Sequence, residues 1–167
     1  MNGHCPRCGV SLPAPPPSAC AGCGYAVFVN ARPTASIVVL DGDRFLALVR
    51  AREPNAGKWD LPGGFCDGWE HPADAAVREA REELGVRVRL DRFIGMYVGE
   101  YLFQEENLPV LDCYWSASIL DGALRPDPSE ARGYDWLPLH DPPPMAFATQ
   151  DKALRDLAAL LGSVRPD

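Results

Sequence analysis

Four carboxylates fall within one stretch of this 167-residue chain that is predicted to be helical, residues 72–84. On a helical wheel with about 100° per residue, Glu79, Glu82 and Glu83 share one face. Like charges at this spacing repel one another, so a helix that collects them requires a positive partner. Hard oxygen donors at positions i, i+3 and i+4 suit Mg²⁺ or Mn²⁺ better than zinc or copper. The segment therefore predicts a divalent-metal site, and a merely solvated acidic face is the alternative.

Two Cys-x-x-Cys pairs near the N-terminus form a second group of side chains with possible chemistry. Four thiolates at this spacing are typical of tetrahedral Zn²⁺ in a ribbon-type structural site. Disulfides or redox-active dithiols are the alternatives, and nothing in the sequence indicates the secretion that would favour disulfides. A closed four-cysteine site has no open coordination position, so we assign the predicted zinc to folding. The predicted ligands are Cys5, Cys8, Cys20 and Cys23.

Turn signals and hydrophobic periodicity predict the elements that must position these groups. Residues 1–30 form one predicted unit, the zinc ribbon, and residues 33–163 form a larger α/β domain. Two apolar runs that flank Asp41-Gly42 predict a β-hairpin at the start of that domain. Beside its acidic face, the first helix carries an apolar stripe that should dock it on a sheet, formed by Ala76, Val77, Ala80 and Leu84. Further strands are expected at residues 86–90, 93–101, 110–119 and 132–137, and a last helix at 147–161.

The composition argues against several classes of protein. The chain is 47% hydrophobic and 23% charged, so it can bury a core and is not disordered overall. No apolar run reaches the length of about eighteen residues that a membrane span needs, and a secretion signal is missing, so a cytoplasmic protein is expected. The net charge of −7 argues against a sequence-independent nucleic-acid binder. A nucleotide substrate stays open, because a bound metal can reverse the local sign of charge.

The acidic helix is part of a longer pattern. Read from Gly64, the chain has five residues, Glu70, seven more residues and then "REAREELGV", which spans residues 78–86. This pattern resembles the signature of the Nudix hydrolases, and "WDLPGG" just before it resembles the family's approach to that signature. The resemblance covers roughly residues 33–140. It implies an α/β fold, namely a Nudix α/β/α sandwich around a mixed sheet, here preceded by the small zinc ribbon.

The resemblance also implies a role for each matching residue. Glu79, Glu82 and Glu83 would bind a catalytic Mg²⁺ or Mn²⁺. Glu70 would support the geometry of the loop and helix, and Arg78 would bond to carboxylates of the cluster. The implied reaction is hydrolysis of a nucleoside diphosphate linked to another group, by attack of water on phosphorus.

The general base of that reaction has several candidates. Glu82 or Glu83 could act from within the helix. Glu130 could act from a loop before the last predicted strand, and a solvated loop acid is the equally weighted alternative for this residue. Other acids stay open as candidates: Glu100, Glu105 and Glu106.

The substrate is defined only as a class. A four-cysteine ribbon ahead of such a domain resembles the NADH pyrophosphatase branch, but that branch's Ser-Gln-Pro-Trp-Pro-Phe-Pro run is missing after the signature. We therefore expect a small nucleotide-linked pyrophosphate as substrate. The alternative is a nucleotide-sensing or partner-binding module without turnover, which the complete set of signature acids argues against. In a third reading, the ribbon mediates a homodimer of an enzyme.

Overall fold

The chain divides into two compact units, Met1–Ala31 and Arg32–Asp167, and this computed structural model describes residues 3–163. In the first unit, strands β1 (Ser18–Ala19) and β2 (Ala26–Val27) pair antiparallel. Among the described residues, no helix is both long enough and apolar enough to cross a membrane.

The second unit combines one sheet with two helices. Its strands are β3 (Arg32–Asp41), β4 (Arg44–Arg50), β5 (Trp59–Asp60), β6 (Gly63–Phe65), β7 (Arg87–Phe103), β8 (Glu106–Asp121) and β9 (Ala131–Pro138), and its helices are α1 (Pro72–Leu84) and α2 (Ala148–Gly162). The main strand order is β5-β4-β3-β8-β7, with β6 paired to β3 and β9 paired to β4. Because β3 and β8 run parallel while the other pairs run antiparallel, the sheet is mixed, as predicted.

The two helices cover opposite faces of this sheet. Successive residues of a strand point to opposite faces, and β3 shows the result. Ile37 and Val39 pack in the buried cluster that contains the α1 residues Ala76 and Ala80. Val38 lies in the other buried cluster, together with residues of α2. This three-layer arrangement confirms the predicted α/β/α sandwich.

Helix α1 begins and ends at the residues that the sequence predicts. The His71 side chain accepts a hydrogen bond from the Ala73 amide at 3.1 Å, and Pro72 occupies the first turn. Gly85 ends the helix in the left-handed conformation, and its amide donates to the Arg81 carbonyl at 3.1 Å.

The predicted apolar stripe of α1 is wrong at one position. Val77 is 39% exposed, whereas Ala75 is fully buried. The buried sector of the helix is therefore rotated toward the acidic residues, so that it contains Glu79 and Glu83. Helical geometry allows either docking angle, and the choice is made by the sheet against which the helix packs.

Two strands predicted at residues 86–90 and 93–101 are a single strand, β7. Its pairing with β8 shifts register between Leu90 and Arg92 and again between Phe93 and Gly95. Such irregularities absorb extra residues without ending a strand, so the polar residues between the two apolar runs do not form a turn.

We expect Leu154→Ala to lower the free energy of unfolding by about 2–5 kcal/mol, because it leaves a cavity in the core under α2. Leu154 is fully buried in the cluster that joins α2 to the sheet. The matched control is Leu161→Ala on the same helix, where Leu161 is 38% exposed. Urea denaturation measures both, and equal losses for the two variants would contradict this packing.

Candidate active site

A cavity of about 430 Å³ lies beside the acidic side of α1. The sheet lines it with Thr34 and Ser36 from β3 and with Asp112 and Tyr114 from β8, because alternate residues of neighbouring strands face the same way. Among the described residues that line the cavity, Arg50 is the one basic side chain. The acidic lining residues are Asp60, Glu79, Glu82, Glu83, Glu100, Asp112, Asp127 and Glu130.

This excess of carboxylates determines what the cavity can bind. A region with so many acids and one guanidinium attracts cations and repels anions. A pyrophosphate is itself an anion, so it can enter favourably only together with cations that reverse the local charge. The donor set, hard carboxylate oxygens, fits Mg²⁺ or Mn²⁺.

Two of the helix glutamates are held against the short strand β6. Glu83 Oε2 accepts a hydrogen bond from the Gly63 amide at 2.9 Å, while burial raises the pKa of Glu83 well above its ordinary value. Burial also raises the pKa of Glu79, although Arg78 acts in the opposite direction. A Cβ atom on Gly64 would lie 2.6 Å from Glu79 Oε1, so a larger residue here would displace the carboxylate oxygen that accepts from Arg78.

Arg78 is the positive partner that the acidic helix requires. Its Nε and Nη2 atoms donate to the two oxygens of Glu70 at 2.9 and 2.8 Å, and Nη2 also donates to the Phe65 carbonyl. Its Nη1 atom donates to Glu79 at 2.7 Å and to Glu82 at 3.0 Å. These bonds to Arg78 are the main reason that the pKa of Glu70 falls to about 2. One guanidinium thus links three carboxylates to the loop before the helix.

The three helix glutamates line the same cavity, but their carboxylate groups do not converge on one point. Unlike the four cysteine sulfurs described below, oxygens of Glu79, Glu82 and Glu83 do not all lie within 4.8 Å of one another. The side chain of Glu82 is 59% exposed and turns toward Arg78. Repulsion between ionised carboxylates opposes a closer approach.

The end of α1 also positions the loop that carries the predicted base. The last carbonyls of a helix have no partner within the helix, and here two of them accept from this loop. Arg125 donates its amide to the Leu84 carbonyl and Asp127 donates its amide to the Glu83 carbonyl, both at 2.8 Å. Glu130 follows on the same loop, so its carboxylate reaches the cavity.

The positions of the candidate general bases distinguish those that line the cavity from those that do not. Glu130 lines the cavity but forms an ion pair with Arg52 at 2.9 Å. Glu100 also lines the cavity from β7. Glu105 and Glu106 lie where β7 turns into β8 and are not among the lining residues.

The sequence motifs do not identify several residues that line the cavity. Arg50 forms an ion pair with Asp60, and its guanidinium lies 5.0 Å from the centre of the Phe147 ring. Gln150 donates its side-chain amide to Asp60. Asp60 lies within "WDLPGG", the segment that resembles the family's approach to the signature. Arg50 and Gln150 are 100 residues apart, and no local pattern connects them.

In the first unit, the four predicted zinc ligands converge. The sulfurs of Cys5, Cys8, Cys20 and Cys23 all lie within 4.8 Å of one another, with closest pairs at 3.5 and 3.7 Å. An S–S bond measures about 2.05 Å, and all four cysteines are free. Sulfurs around a tetrahedral zinc ion are expected about 3.8 Å apart, given Zn–S bonds of about 2.3 Å.

Equivalent turns bring the cysteine pairs together. The amide of Gly9 donates to the Cys5 carbonyl and the amide of Gly24 donates to the Cys20 carbonyl, each at 2.8 Å. Both glycines adopt positive φ angles, 75° and 73°. Each pair therefore sits on a tight turn that only glycine adopts readily.

Comparison with known proteins gives one family. The family model described as NUDIX domain matches residues 30–157. A Pseudomonas fluorescens protein named NAD-capped RNA hydrolase NudC is 26% identical over 98% of this chain and 58% of its own length. A MutT NUDIX hydrolase structure from Burkholderia pseudomallei is 27% identical with a TM-score of 0.64, and covers 77% of this chain and 98% of that one.

A further structure shares the fold over nearly the whole chain. It is a NUDIX hydrolase from Nitrosomonas europaea with a TM-score of 0.76 and 23% identity, covering 98% of this chain and 94% of that one. The chain spans less than two thirds of the length of the first curated relatives it matches.

We expect purified protein to carry one zinc ion per chain and Cys5→Ser to lose most of it, since three thiolates hold zinc more weakly than four. The matched control is Cys66→Ser, because Cys66 is a free cysteine outside the cluster. Elemental analysis by mass spectrometry gives the metal content. Equal zinc in wild type and Cys5→Ser would contradict a four-cysteine site.

The Glu70–Arg78 pair predicts a pH-dependent stability. The pKa of Glu70 is lowered from 4.5 to about 2 in the folded protein, so the pair makes its full contribution to the stability of the folded state above about pH 4.5. Its contribution is lost as the pH falls toward about 2 and the carboxylate is protonated. The difference in unfolding free energy between wild type and Glu70→Gln should therefore shrink over this range.

Urea denaturation at a series of pH values measures this difference. Glu53→Gln is the matched control, because Glu53 is exposed and makes no salt bridge among the described residues. If the difference in unfolding free energy between wild type and Glu70→Gln stays constant down to about pH 2, the pair does not act as described.

Proposed function

The chain belongs to the NUDIX domain family, and we propose that it hydrolyses a pyrophosphate linkage in a nucleoside diphosphate derivative, with water attacking phosphorus. One observation carries the proposal. The three signature glutamates of α1 line a single cavity whose carboxylates outnumber its one described basic residue, Arg50. Such a cavity suits a reaction in which cations accompany an anionic substrate.

Glu79, Glu82 and Glu83 are the residues proposed to hold Mg²⁺ or Mn²⁺. When bound, such an ion would neutralise charge on phosphate oxygens and lower the pKa of a water molecule. Zn²⁺ in the ribbon is proposed to be structural, with Cys5, Cys8, Cys20 and Cys23 as ligands.

The chain's own residues prepare this site before any substrate enters. Gly63 fixes the Glu83 carboxylate through its amide, and Arg78 orients Glu79 and Glu82. Side chains held on a helix and a paired strand lose little orientation when they act, which is the basis of preorganised catalysis.

Glu130 is proposed as a base that accepts a proton from the attacking water. The loop that carries it is fixed to the end of α1, and its carboxylate lines the cavity beside the helix glutamates. Its ion pair with Arg52, at 2.9 Å, fixes the position of the carboxylate on this loop. Glu82 and Glu83 stay as alternatives within the helix.

The substrate class is a nucleotide joined through pyrophosphate to a second group. The NudC relatives, named NAD-capped RNA hydrolases, are a reason to test a dinucleotide pyrophosphate. The run that marks the NADH pyrophosphatase branch is missing here, which is a reason to test other nucleotides beside it. A homodimer held by the ribbon stays a prediction.

We expect Glu83→Gln to reduce kcat by at least about 100-fold for whichever compound the wild-type protein hydrolyses, because a neutral amide binds a divalent cation poorly. Purified protein is incubated with Mg²⁺ and NADH, ADP-ribose, a diadenosine polyphosphate, nucleoside triphosphates and a nucleotide sugar, and products are separated by chromatography. Glu53→Gln, exposed and outside the cavity, is the matched control and should keep wild-type activity. EDTA should abolish turnover.

Turnover that survives in Glu83→Gln would contradict the proposed site. Tight binding of one compound, with no turnover in Mg²⁺ or Mn²⁺, would instead support a nucleotide-sensing module.

A further inference from the structure

We propose that the end of the cavity formed by Asp112, Gln150, Tyr101 and Phe147 is a subsite for a nucleobase that carries an exocyclic amino group. The inference rests on the proposed function, since it names a part of the proposed nucleotide substrate. All four residues line the same cavity as the helix glutamates. None of them belongs to the signature that carries the chemistry.

Asp112 is a buried carboxylate with too few partners. It is 9% exposed, and its Oδ1 atom accepts a hydrogen bond from the hydroxyl of Thr34, the residue beside it on the parallel strand. Its Oδ2 atom receives no hydrogen bond, and the carboxylate makes no salt bridge, within the part of the chain that the structure describes. Unlike the buried atom described below, this oxygen keeps accessible surface, so a donor that enters the cavity can reach it.

Gln150 supplies a second acceptor without a partner. The side chain is 3% exposed, and its Nε2 atom donates to Asp60. An ionised carboxylate only accepts hydrogen bonds, so Asp60 fixes which end of the amide faces it. The opposite end, Oε1, is buried and has no hydrogen-bond partner. Only a donor on a group that packs against Gln150 could satisfy this atom.

Aromatic rings form the wall beside these acceptors. The rings of Tyr101 and Phe147 are 5.7 Å apart at an angle of 31°, and Phe65 meets Tyr101 edge-on at 5.4 Å. The Arg50 guanidinium lies over the Phe147 ring. Flat aromatic surfaces of this kind stack on a planar heterocycle and do not distinguish between bases.

The unpaired acceptors add the selectivity that stacking lacks. A planar ring between an aromatic wall and two acceptors is favoured if its edge presents N–H donors, as the amino groups of adenine, cytosine and guanine do. A keto oxygen in the same place would face a carboxylate and be repelled. The geometry therefore points to an amino-bearing base.

Two pairs of nucleotides that differ by a single amino group test this. Guanosine 5′-monophosphate is compared with inosine 5′-monophosphate, and adenosine 5′-monophosphate with purine riboside 5′-monophosphate. Isothermal titration calorimetry in the presence of Mg²⁺ gives each Kd without any need for turnover, and the cation offsets the repulsion between the acidic cavity and the phosphate. In wild type, the amino-bearing member of at least one pair should bind about tenfold or more tightly than its partner.

Asp112→Asn should reduce that ratio to about one, because its amide replaces one acceptor with a donor while Thr34 keeps an acceptor. The matched control is Asp121→Asn on the same strand, where Asp121 is exposed and outside the cavity, and it should keep the wild-type ratio. Gln150→Met, of similar volume, should also lower the ratio. It provides a second test if thermal unfolding shows that Asp112→Asn is not folded.

If the two Kd values within each pair are nearly equal in wild type, the subsite is overturned. The same holds if the folded variants still bind the amino-bearing nucleotide as preferentially as wild type does. The outcome is independent of the proposed reaction. An amino preference without hydrolysis of any compound would contradict only the reaction, and hydrolysis without an amino preference would contradict only the subsite.

Discussion

Repulsion between carboxylates is the constraint on which the rest of the candidate site depends. A helix that presents several acids to one cavity is stable only if something positive lies among them. Arg78 has this position, with hydrogen bonds to Glu70, Glu79 and Glu82 from one planar guanidinium. A lysine offers one compact ammonium and could not reproduce this fork of donors. Arg78 therefore holds three of the acids in a geometry that a lysine could not reproduce.

The backbone around Arg78 follows from the same constraint. Strand β6 approaches the helix closely enough for the Gly63 amide to reach Glu83, and Gly63 itself has no room for a side chain, because a Cβ atom there would lie 2.3 Å from the Ala35 carbonyl oxygen. The end of α1 then uses its free carbonyls to fix the loop that carries Glu130. Acids that repel one another are therefore mounted on elements whose own hydrogen bonds are satisfied, so they cannot simply move apart.

The sequence predicted what is local and missed what depends on packing. The bounds of α1, the convergence of the four cysteines and the hairpin at Asp41-Gly42 follow from spacing, caps and turn residues. The exposure of Val77 and the burial of Ala75 do not, because the docking angle of a helix is set by the sheet beneath it. The acceptors Asp112 and Gln150 are isolated polar residues on a strand and a helix far apart in the chain, so nothing in the sequence indicates that they are buried beside one cavity.

The two proposed metal sites differ in how far the protein builds them in advance. A protonated thiol repels its neighbours less than an ionised carboxylate does, and the sulfurs of Cys5, Cys8, Cys20 and Cys23 all lie within 4.8 Å of one another. The carboxylate oxygens of Glu79, Glu82 and Glu83 do not all lie so close together. The divalent ion proposed at the glutamates would take further oxygen ligands, which the proposed pyrophosphate substrate would supply. The affinity of the glutamates for Mg²⁺ or Mn²⁺ should accordingly rise when substrate binds. The affinity of the cysteines for Zn²⁺ should instead be coupled to folding of the first unit.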